Sequence, residues 1–572
     1  MEFKFKDKIN VQFIILAGCV FTVVYLALVP LLMLLFNSIR SAPLGYKESF
    51  FTIKNYLEAY IDPKFFPLLK NSFIFGLGNC LITFFFGTTL AWIYERTNTP
   101  FKKFFAVMAL VPFILPGILS TVSWILLLSP KIGVINRILM YLFNLEKAPF
   151  NIYTLVGMIW AQGVHLYPLV FLMMAASFRS MDMALEESST MSGAGTFSTF
   201  LRVTLPLMRP AFFSAMLIMF IRAIESFSTP ALIGIPAGIE VFTSKIYLAL
   251  HLYPSNFGLA GALAVTLLFI SVAGVFFYRK FTTTEKRFAT ITGKGYRPRM
   301  IDLGKLKYLV SGLCIGFFII TIGFPVFIIL WASFVSFYHT PSIADLATFS
   351  FNNYTHVFKY PLTLRAFRNS IVLMLTTATV TMLLTSVIAW ITVKSKVKGR
   401  GLLDGLAFIP IGIPGIVLGV SIMYVYFTLP IPIYGTIWIL LVAYTTKYMP
   451  YGIRTTTASI IQVHSELEEA SALSGGTWAH TFRKITLPLL VPGFMAGWIY
   501  IAMVSLRELS TSILLYGYGS EVLSIVVFDL WESGEYPALC ALGVMMTILL
   551  IILAFVANLV GGKIGIRRVG AA

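Results

Sequence analysis

The chain has 572 residues, of which 58% are hydrophobic and only 12% are charged. This composition is too apolar for soluble domains and predicts an all-α polytopic membrane protein, since runs of about 20 apolar residues cross a bilayer as helices. The formal charge of +19 does not indicate nucleic-acid binding, because the lysines and arginines lie in short segments between apolar runs, as the positive-inside rule predicts.

The apolar runs predict about twelve transmembrane helices, six in each of two homologous halves. In the first half we expect spans near residues 11–36, 73–94, 104–128, 153–177, 211–232 and 257–278. In the second half we expect them near 308–336, 371–393, 402–428, 434–458, 493–515 and 539–562. Residues 1–280 then form the first repeat, 281–306 a linker and 307–572 the second repeat.

Basic residues predict the orientation of the chain. They are concentrated at the N-terminus, in the linker and at the C-terminus, so the positive-inside rule places all three segments in the cytoplasm. With six spans in each half, the loops that follow the fourth and the tenth span are also cytoplasmic.

Those two loops are copies of one another. The segment from Leu185 to Pro206 recurs from Leu467 to Pro488, an offset of 282 residues without a gap. Each copy has an acidic start, a glycine and a basic stretch that ends in Leu-Pro, which predicts two short helices bent at the glycine. A loop that merely covers helix ends at the membrane surface remains the alternative. The residues concerned are Glu186, Glu187, Gly193, Leu205 and Pro206 in the first copy and Glu468, Glu469, Gly475, Leu487 and Pro488 in the second.

The duplication extends along the chain. Pro112-x3-Pro116-Gly117 recurs as Pro410-x3-Pro414-Gly415 at an offset of 298, so the first half holds sixteen extra residues, which we place in 129–151 on the outer face. Because each half has an even number of spans, the repeats are parallel and a transport path between them is expected. A purely structural duplication is the alternative.

Four ionisable residues are predicted inside spans: Arg222 and Glu225 in the fifth, Arg507 and Glu508 in the eleventh. Charges in such positions usually face a partner or a cavity. Arg222 and Glu225 share a helical face and are expected to pair. Three interpretations are open: ion pairs between helices, a path whose acidic residues meet a cationic substrate, or a gate.

The repeated loops resemble the Glu-Ala-Ala-x3-Gly-x9-Ile-x-Leu-Pro motif (EAA motif) of the permease subunits of binding-protein-dependent ABC importers. The motif reads Glu187-Ser188-Ser189-x3-Gly193-x9-Val203-x-Leu205-Pro206 and Glu469-Ala470-Ser471-x3-Gly475-x9-Ile485-x-Leu487-Pro488. The resemblance implies two permease domains fused in tandem in a bacterial inner membrane. It also implies that each loop is a coupling helix, that two copies of a cytoplasmic ATPase bind these helices, and that a substrate-binding protein docks on the outer face.

The chain is not expected to be an enzyme. Leu473-Ser-Gly-Gly476 is similar to the signature of ABC ATPases, but Thr477 follows where that signature has Gln, and no phosphate-binding Gly-x4-Gly-Lys-Ser/Thr loop is present. ATP and Mg²⁺ are therefore expected on the partner subunit, with no cofactor on this chain. The four cysteines and six histidines show no metal-ligand spacing, and we expect no catalytic or metal site.

The segment 224–241 is similar to permeases of ferric-iron importers, which makes ferric iron the expected substrate. Thiamine, polyamines and phosphonates are the alternatives within the same class. A secondary transporter driven by an ion gradient is the alternative from another class, because two parallel six-span halves also fit that design.

Overall fold

The computed structural model describes residues 5–41, 49–181, 184–284, 300–395, 397–463 and 465–563. Within these ranges all the extended regular elements are helices, and the predicted all-α class is confirmed. Most of the basic residues used to predict orientation, in 1–4, 285–299 and 564–572, lie outside the described residues. The domain boundaries at 280 and 307 stay predictions.

The first half contains the helices and π-helical turns Phe5–Val23, Val24–Leu28, Val29–Ser38, Lys54–Ile61, Phe65–Arg96, Lys102–Met108, Val111–Ile114, Gly117–Leu128, Val134–Phe143, Leu155–Ser180, Ala184–Met191, Thr196–Thr199, Phe200–Thr204, Leu205–Ile224, Pro230–Gly234, Phe242–His251 and Phe257–Thr284.

The second half contains Leu306–Phe318, Ile319–Gly323, Phe324–Phe334, Ile343–Ala347, Asn352–Lys359, Pro361–Lys394, Arg400–Phe408, Ile409–Gly412, Gly415–Thr428, Ile437–Gln462, Ser465–Leu473, Trp478–Thr481, Phe482–Thr486, Leu487–Leu506, Ser512–Leu515, Leu523–Glu532 and Tyr536–Lys563.

Nine helices of the described chain are long and apolar enough to cross a membrane, and two bent helix pairs raise the number to eleven. The tenth predicted span is the 26-residue helix Ile437–Gln462, which the composition criterion leaves out of that number. It carries Lys447 and Arg454. The expected twelve-helix layout is therefore present, with one span that is more polar than the sequence analysis assumed.

The third and ninth spans are not the straight helices that were predicted. The chain bends by 98° between Lys102–Ile114 and Gly117–Leu128, and by 113° between Arg400–Gly412 and Gly415–Thr428. Leu115 and Ile413, the residues before the prolines of the repeated motif, are extended, because the ring of a following proline disfavours the helical conformation. The bend was encoded in the repeated prolines.

The fifth and eleventh helices also end earlier than predicted. They run over Leu205–Ile224 and Leu487–Leu506 instead of reaching 232 and 515. After Ile224 and after Leu506, which are both buried, the backbone leaves the helical conformation in the interior of the molecule. Irregular backbone at this depth is tolerated where it is buried in protein or lines a cavity, so these ends point to a functional centre.

The two halves interlock through their first spans. Leu16, Cys19 and Val23 of the first span belong to an apolar cluster with Ile388 and Leu403 of the second half. In return, the seventh span packs on the first half, where the Phe317 ring centroid lies 4.7 Å from that of Phe86 and 5.4 Å from that of Tyr167. Each half therefore completes the core of the other.

The described end of the linker is anchored beside the first repeated loop. The Ile301 amide donates to the Arg96 carbonyl at 2.8 Å, and the Asn98 side chain donates to the Asp302 carboxylate at 2.6 Å. Hydrogen bonds from the Gly304 amide and from Asn98 lower the pKa of Asp302. The Arg96 guanidinium also lies 3.4 Å from the carboxylate of Glu186 in the first loop. The linker end and the first loop therefore lie on the same side of the molecule.

Candidate functional site

The two repeated loops have the same backbone conformation. Each consists of two short helices, Ala184–Met191 with Thr196–Thr199 and Ser465–Leu473 with Trp478–Thr481. Gly193 and Gly475 between them both have φ of 82°, a left-handed conformation that costs least for glycine. The predicted bend at the glycine is present in both copies.

The same hydrogen bond joins the two short helices in each loop. The Ser189 and Thr199 hydroxyls are 3.0 Å apart in the first copy, and those of Ser471 and Thr481 are 2.7 Å apart in the second. The sequence analysis did not single out these four residues, although their common spacing of ten residues was visible. The bond therefore ties the two short helices of each loop to one another.

A carboxylate in each loop holds it to two transmembrane helices. In the first copy, Glu186 accepts a hydrogen bond from the Thr204 hydroxyl at 2.5 Å, and its other oxygen lies 3.4 Å from the Arg96 guanidinium. Arg96 ends the second span and Thr204 immediately precedes the fifth helix. We call this arrangement the carboxylate clamp.

The second copy repeats the carboxylate clamp with a lysine in place of the arginine. Glu468 accepts from Thr486 at 3.1 Å and lies 3.4 Å from the Lys394 ammonium. Lys394 ends the eighth span, and Thr486 immediately precedes the eleventh helix. The sequence analysis named Glu186 and Glu468 for the coupling loops but missed their basic partners, because the pairs are separated by tens of residues along the chain.

Each loop presents exposed apolar side chains, among them the equivalent pair Leu185 and Leu467, which are 43% and 45% exposed. Met191 and Leu473, which are 282 residues apart and therefore equivalent, are both 90% exposed. Glu187 and Glu469 lie on the same helices and are partly or fully accessible. Of the remaining predicted residues, Leu205, Pro206, Leu487 and Pro488 form the first turns of the fifth and eleventh helices, where proline is well tolerated.

A central cavity of about 230 Å³ lies between the halves, and all four predicted path residues line it. Arg222 and Glu225 reach it from the end of the fifth helix, and Arg507 and Glu508 from the end of the eleventh. The early ends of these helices bring the four charges to one place. Their assignment to a transport path stays a prediction.

The expected pair of Arg222 with Glu225 is replaced by other contacts. Arg222 donates to the Tyr451 hydroxyl of the second half and lies 5.7 Å from the centre of that ring. Glu225 has one carboxylate oxygen that is buried without a hydrogen-bond partner among the described residues. Arg507 donates to the Phe113 carbonyl of the first half and lies 4.5 Å from that ring. Both arginines therefore bridge the two halves.

Both carboxylate oxygens of Glu508 have hydrogen-bond partners. It accepts from the Lys447 ammonium at 2.7 Å, from the Tyr448 hydroxyl at 2.8 Å and from the Thr511 amide at 3.0 Å. The sequence analysis missed Lys447, although an ionisable residue within an apolar run was signal enough.

No group of three or more His, Cys, Asp or Glu in the described residues is arranged to hold a metal ion. The four cysteines are buried and form no disulfide.

The family of the chain is now defined. Residues 134–283 and 381–565 each match the binding-protein-dependent transport system inner membrane component, and the chain belongs to this family. It is a multi-pass membrane permease of the ABC importer type, with the family domain present twice.

Particular relatives are similar over most of the chain. The ferric transport system permease protein FbpB of Actinobacillus pleuropneumoniae is 26% identical over 80% of this chain, and the match spans 65% of that protein. The Fe(3+)-transport system permease protein FbpB 2 of Haemophilus influenzae is 24% identical over 86% of this chain and 89% of its own length. A bacterial ABC transporter that imports alginate aligns with a TM-score of 0.37 and 18% identity, over 45% of this chain and 96% of its own.

Proposed function

We propose that this chain forms the path of an ATP-driven importer whose cargo is ferric iron, and that a cytoplasmic ATPase drives it through the two repeated loops. The observation that carries the proposal is the identical construction of those loops: the same bend, the same hydroxyl bond and the same carboxylate clamp. Two equivalent docking elements suit a partner that supplies two equivalent copies.

The fifth and eleventh helices connect the loops to the cavity. Each has 20 residues and is about 30 Å long at 1.5 Å per residue. One end follows the clamp residue Thr204 or Thr486, and the other end carries the charged residues of the cavity. Movement of a docked loop would therefore displace the cavity wall, which is the coupling that alternating access requires.

Iron as the cargo is supported by the names of the two relatives, which are ferric transport permeases. Delivery by a substrate-binding protein on the outer face is supported by the family. Both termini would be cytoplasmic, and ATP and Mg²⁺ would bind to the ATPase.

Transport should be measured in proteoliposomes that contain this chain, its ATPase and the binding protein. Uptake of radiolabelled iron is expected only when all three proteins and ATP are present. Uptake that a proton or sodium gradient drives without the ATPase would reverse the proposal in favour of a secondary transporter. ATP-dependent uptake of thiamine, a polyamine or a phosphonate instead of iron would support the proposed ATP-driven importer and contradict iron as its cargo.

The exposed apolar side chains of the loops give a sharper test of docking. Met191→Asp combined with Leu473→Asp should weaken co-purification of the ATPase at least tenfold, because each buried apolar side chain contributes roughly 1.5–3 kcal/mol and 1.4 kcal/mol is about a factor of ten. Tyr141→Asp is the matched control, since Tyr141 is 88% exposed in the segment predicted on the outer face. Equal ATPase recovery from both proteins would exclude these side chains from the interface.

A further inference from the structure

The charges of the central cavity are unbalanced. Three cationic side chains, Arg222, Lys447 and Arg507, line it together with two carboxylates, Glu225 and Glu508. We infer that the cavity admits its cargo as an anion with carboxylate-type oxygen groups, so that iron crosses within a complex of anionic ligands and not as a bare cation. This inference rests on the proposed transport function of the same cavity.

The negative charge of Glu508 is compensated within the protein by Lys447. Its oxygens accept from Lys447, Tyr448 and the Thr511 amide, so one cation and one carboxylate compensate each other. A passing cation would have to compete with Lys447 at 2.7 Å for this carboxylate. Glu508 and Lys447 therefore contribute little net charge to the cavity.

The hydrogen-bond and ring partners of the two arginines are uncharged. Arg222 contacts the hydroxyl and ring of Tyr451, and Arg507 contacts the carbonyl and ring of Phe113. No described carboxylate lies within ion-pair distance of either guanidinium. Like charges that share one cavity repel each other, and an anionic oxygen group relieves that repulsion. Guanidinium groups also match the planar geometry of carboxylates.

Other groups in the wall add hydrogen-bond donors. The Gln162 side-chain oxygen accepts from Ser226 and Thr229 at 3.0 and 2.7 Å, which leaves its amide N–H groups for other partners. Against these donors stands the single carboxylate of Glu225. In this cavity a bare trivalent ion would be attracted by one carboxylate that has no ion-pair partner and repelled by two guanidinium groups. A carboxylate would be attracted by the two guanidinium groups and repelled by the one carboxylate.

The size of the cavity limits the anion. A volume of about 230 Å³ is below the roughly 300–1,000 Å³ of pockets that hold drug-sized ligands, and it fits a small polycarboxylate or its iron complex. Since a path must release what it binds, the expected affinity is modest.

Binding should be measured by calorimetry on the full-length chain in lipid nanodiscs, with metal-free citrate as the anionic probe and La³⁺ as a redox-inert trivalent cation. Citrate is expected to bind saturably and ferric citrate to compete with it. Arg222→Gln and Arg507→Gln should each weaken citrate binding about tenfold, and Glu225→Gln should strengthen it several-fold. La³⁺ should show no binding that depends on Glu225.

Charge-preserving variants separate the role in binding from a role in folding. Arg222→Lys and Arg507→Lys keep the charge but lose the planar geometry, so they should bind citrate more tightly than the Gln variants and less tightly than the unchanged chain. A merely structural arginine would fail equally in the Lys and the Gln form. Saturable La³⁺ binding that Glu225→Gln abolishes would overturn the inference. So would the absence of citrate binding, or citrate binding that the arginine variants leave unchanged. ATP-dependent iron uptake without citrate binding would overturn this inference and leave the transport function standing.

Discussion

Proline at both Gly193 and Gly475 is expected to abolish ATPase binding and transport while membrane insertion continues. Both glycines have φ of 82°, and proline is fixed near −65°. The Gly193 amide also donates to the Thr190 carbonyl at 3.0 Å, a bond that proline removes. Co-purification of the ATPase should fall at least tenfold, and the amount of chain in the membrane fraction should not change.

Two further substitutions show whether the backbone conformation is the cause. A Cβ at Gly193 or Gly475 would meet no atom within 4 Å, so asparagine, which tolerates this conformation, should retain most of the association. Gly195→Thr is the matched control, because the second loop has Thr477 at the equivalent position. Normal ATPase binding by the double proline variant would show that the bend is not needed for docking.

Loss of the first carboxylate clamp should uncouple ATP hydrolysis from transport. The Arg96 side chain is 2% exposed, and its guanidinium nitrogens have no hydrogen-bond partner among the described residues. Removing one member of a buried ion pair costs roughly 3–5 kcal/mol, so Glu186→Gln should detach the loop from the second span. We expect the ATPase to remain bound and active, with transport per ATP hydrolysed reduced at least tenfold.

The second clamp should be less sensitive. Lys394 is 18% exposed and also donates to the Val463 carbonyl at 3.1 Å, so Glu468→Gln should cost only about 1 kcal/mol. Arg96→Lys copies the second half and should retain coupling. Arg179→Gln is the control ion pair, since Arg179 is 67% exposed beside Glu95. Equal, mild effects of Glu186→Gln and Glu468→Gln would contradict the assigned importance of Arg96.

Features that depend on residues close together in the chain were predicted from the sequence. The helical class follows from apolar runs, and the loop bend follows from a glycine between two short helical segments. The internal duplication is visible as two constant offsets, and the EAA motif indicated the family. The bends at Leu115 and Ile413 were also encoded locally, but an apolar run looks the same whether it is straight or bent.

Contacts between distant residues were decided only by the tertiary structure. Arg96 finds Glu186 across 90 positions, and Arg222 finds Tyr451 across 229, so no local pattern could pair them. The sequence suggested that Arg222 pairs with Glu225, three residues away. The helix ends at Ile224, and the Arg222 guanidinium donates a hydrogen bond to Tyr451 of the other half instead.

The sequence by itself determined that this is a membrane permease with an internal duplication and two equivalent repeated loops, because burial pattern and backbone conformation are local properties. Only the tertiary structure decided what surrounds each charge. Whether a buried charge is neutralised, as Glu508 is by Lys447, or left with uncharged partners, as Arg507 is, depends on helices that meet from opposite halves. That difference sets the electrostatic character of the central cavity.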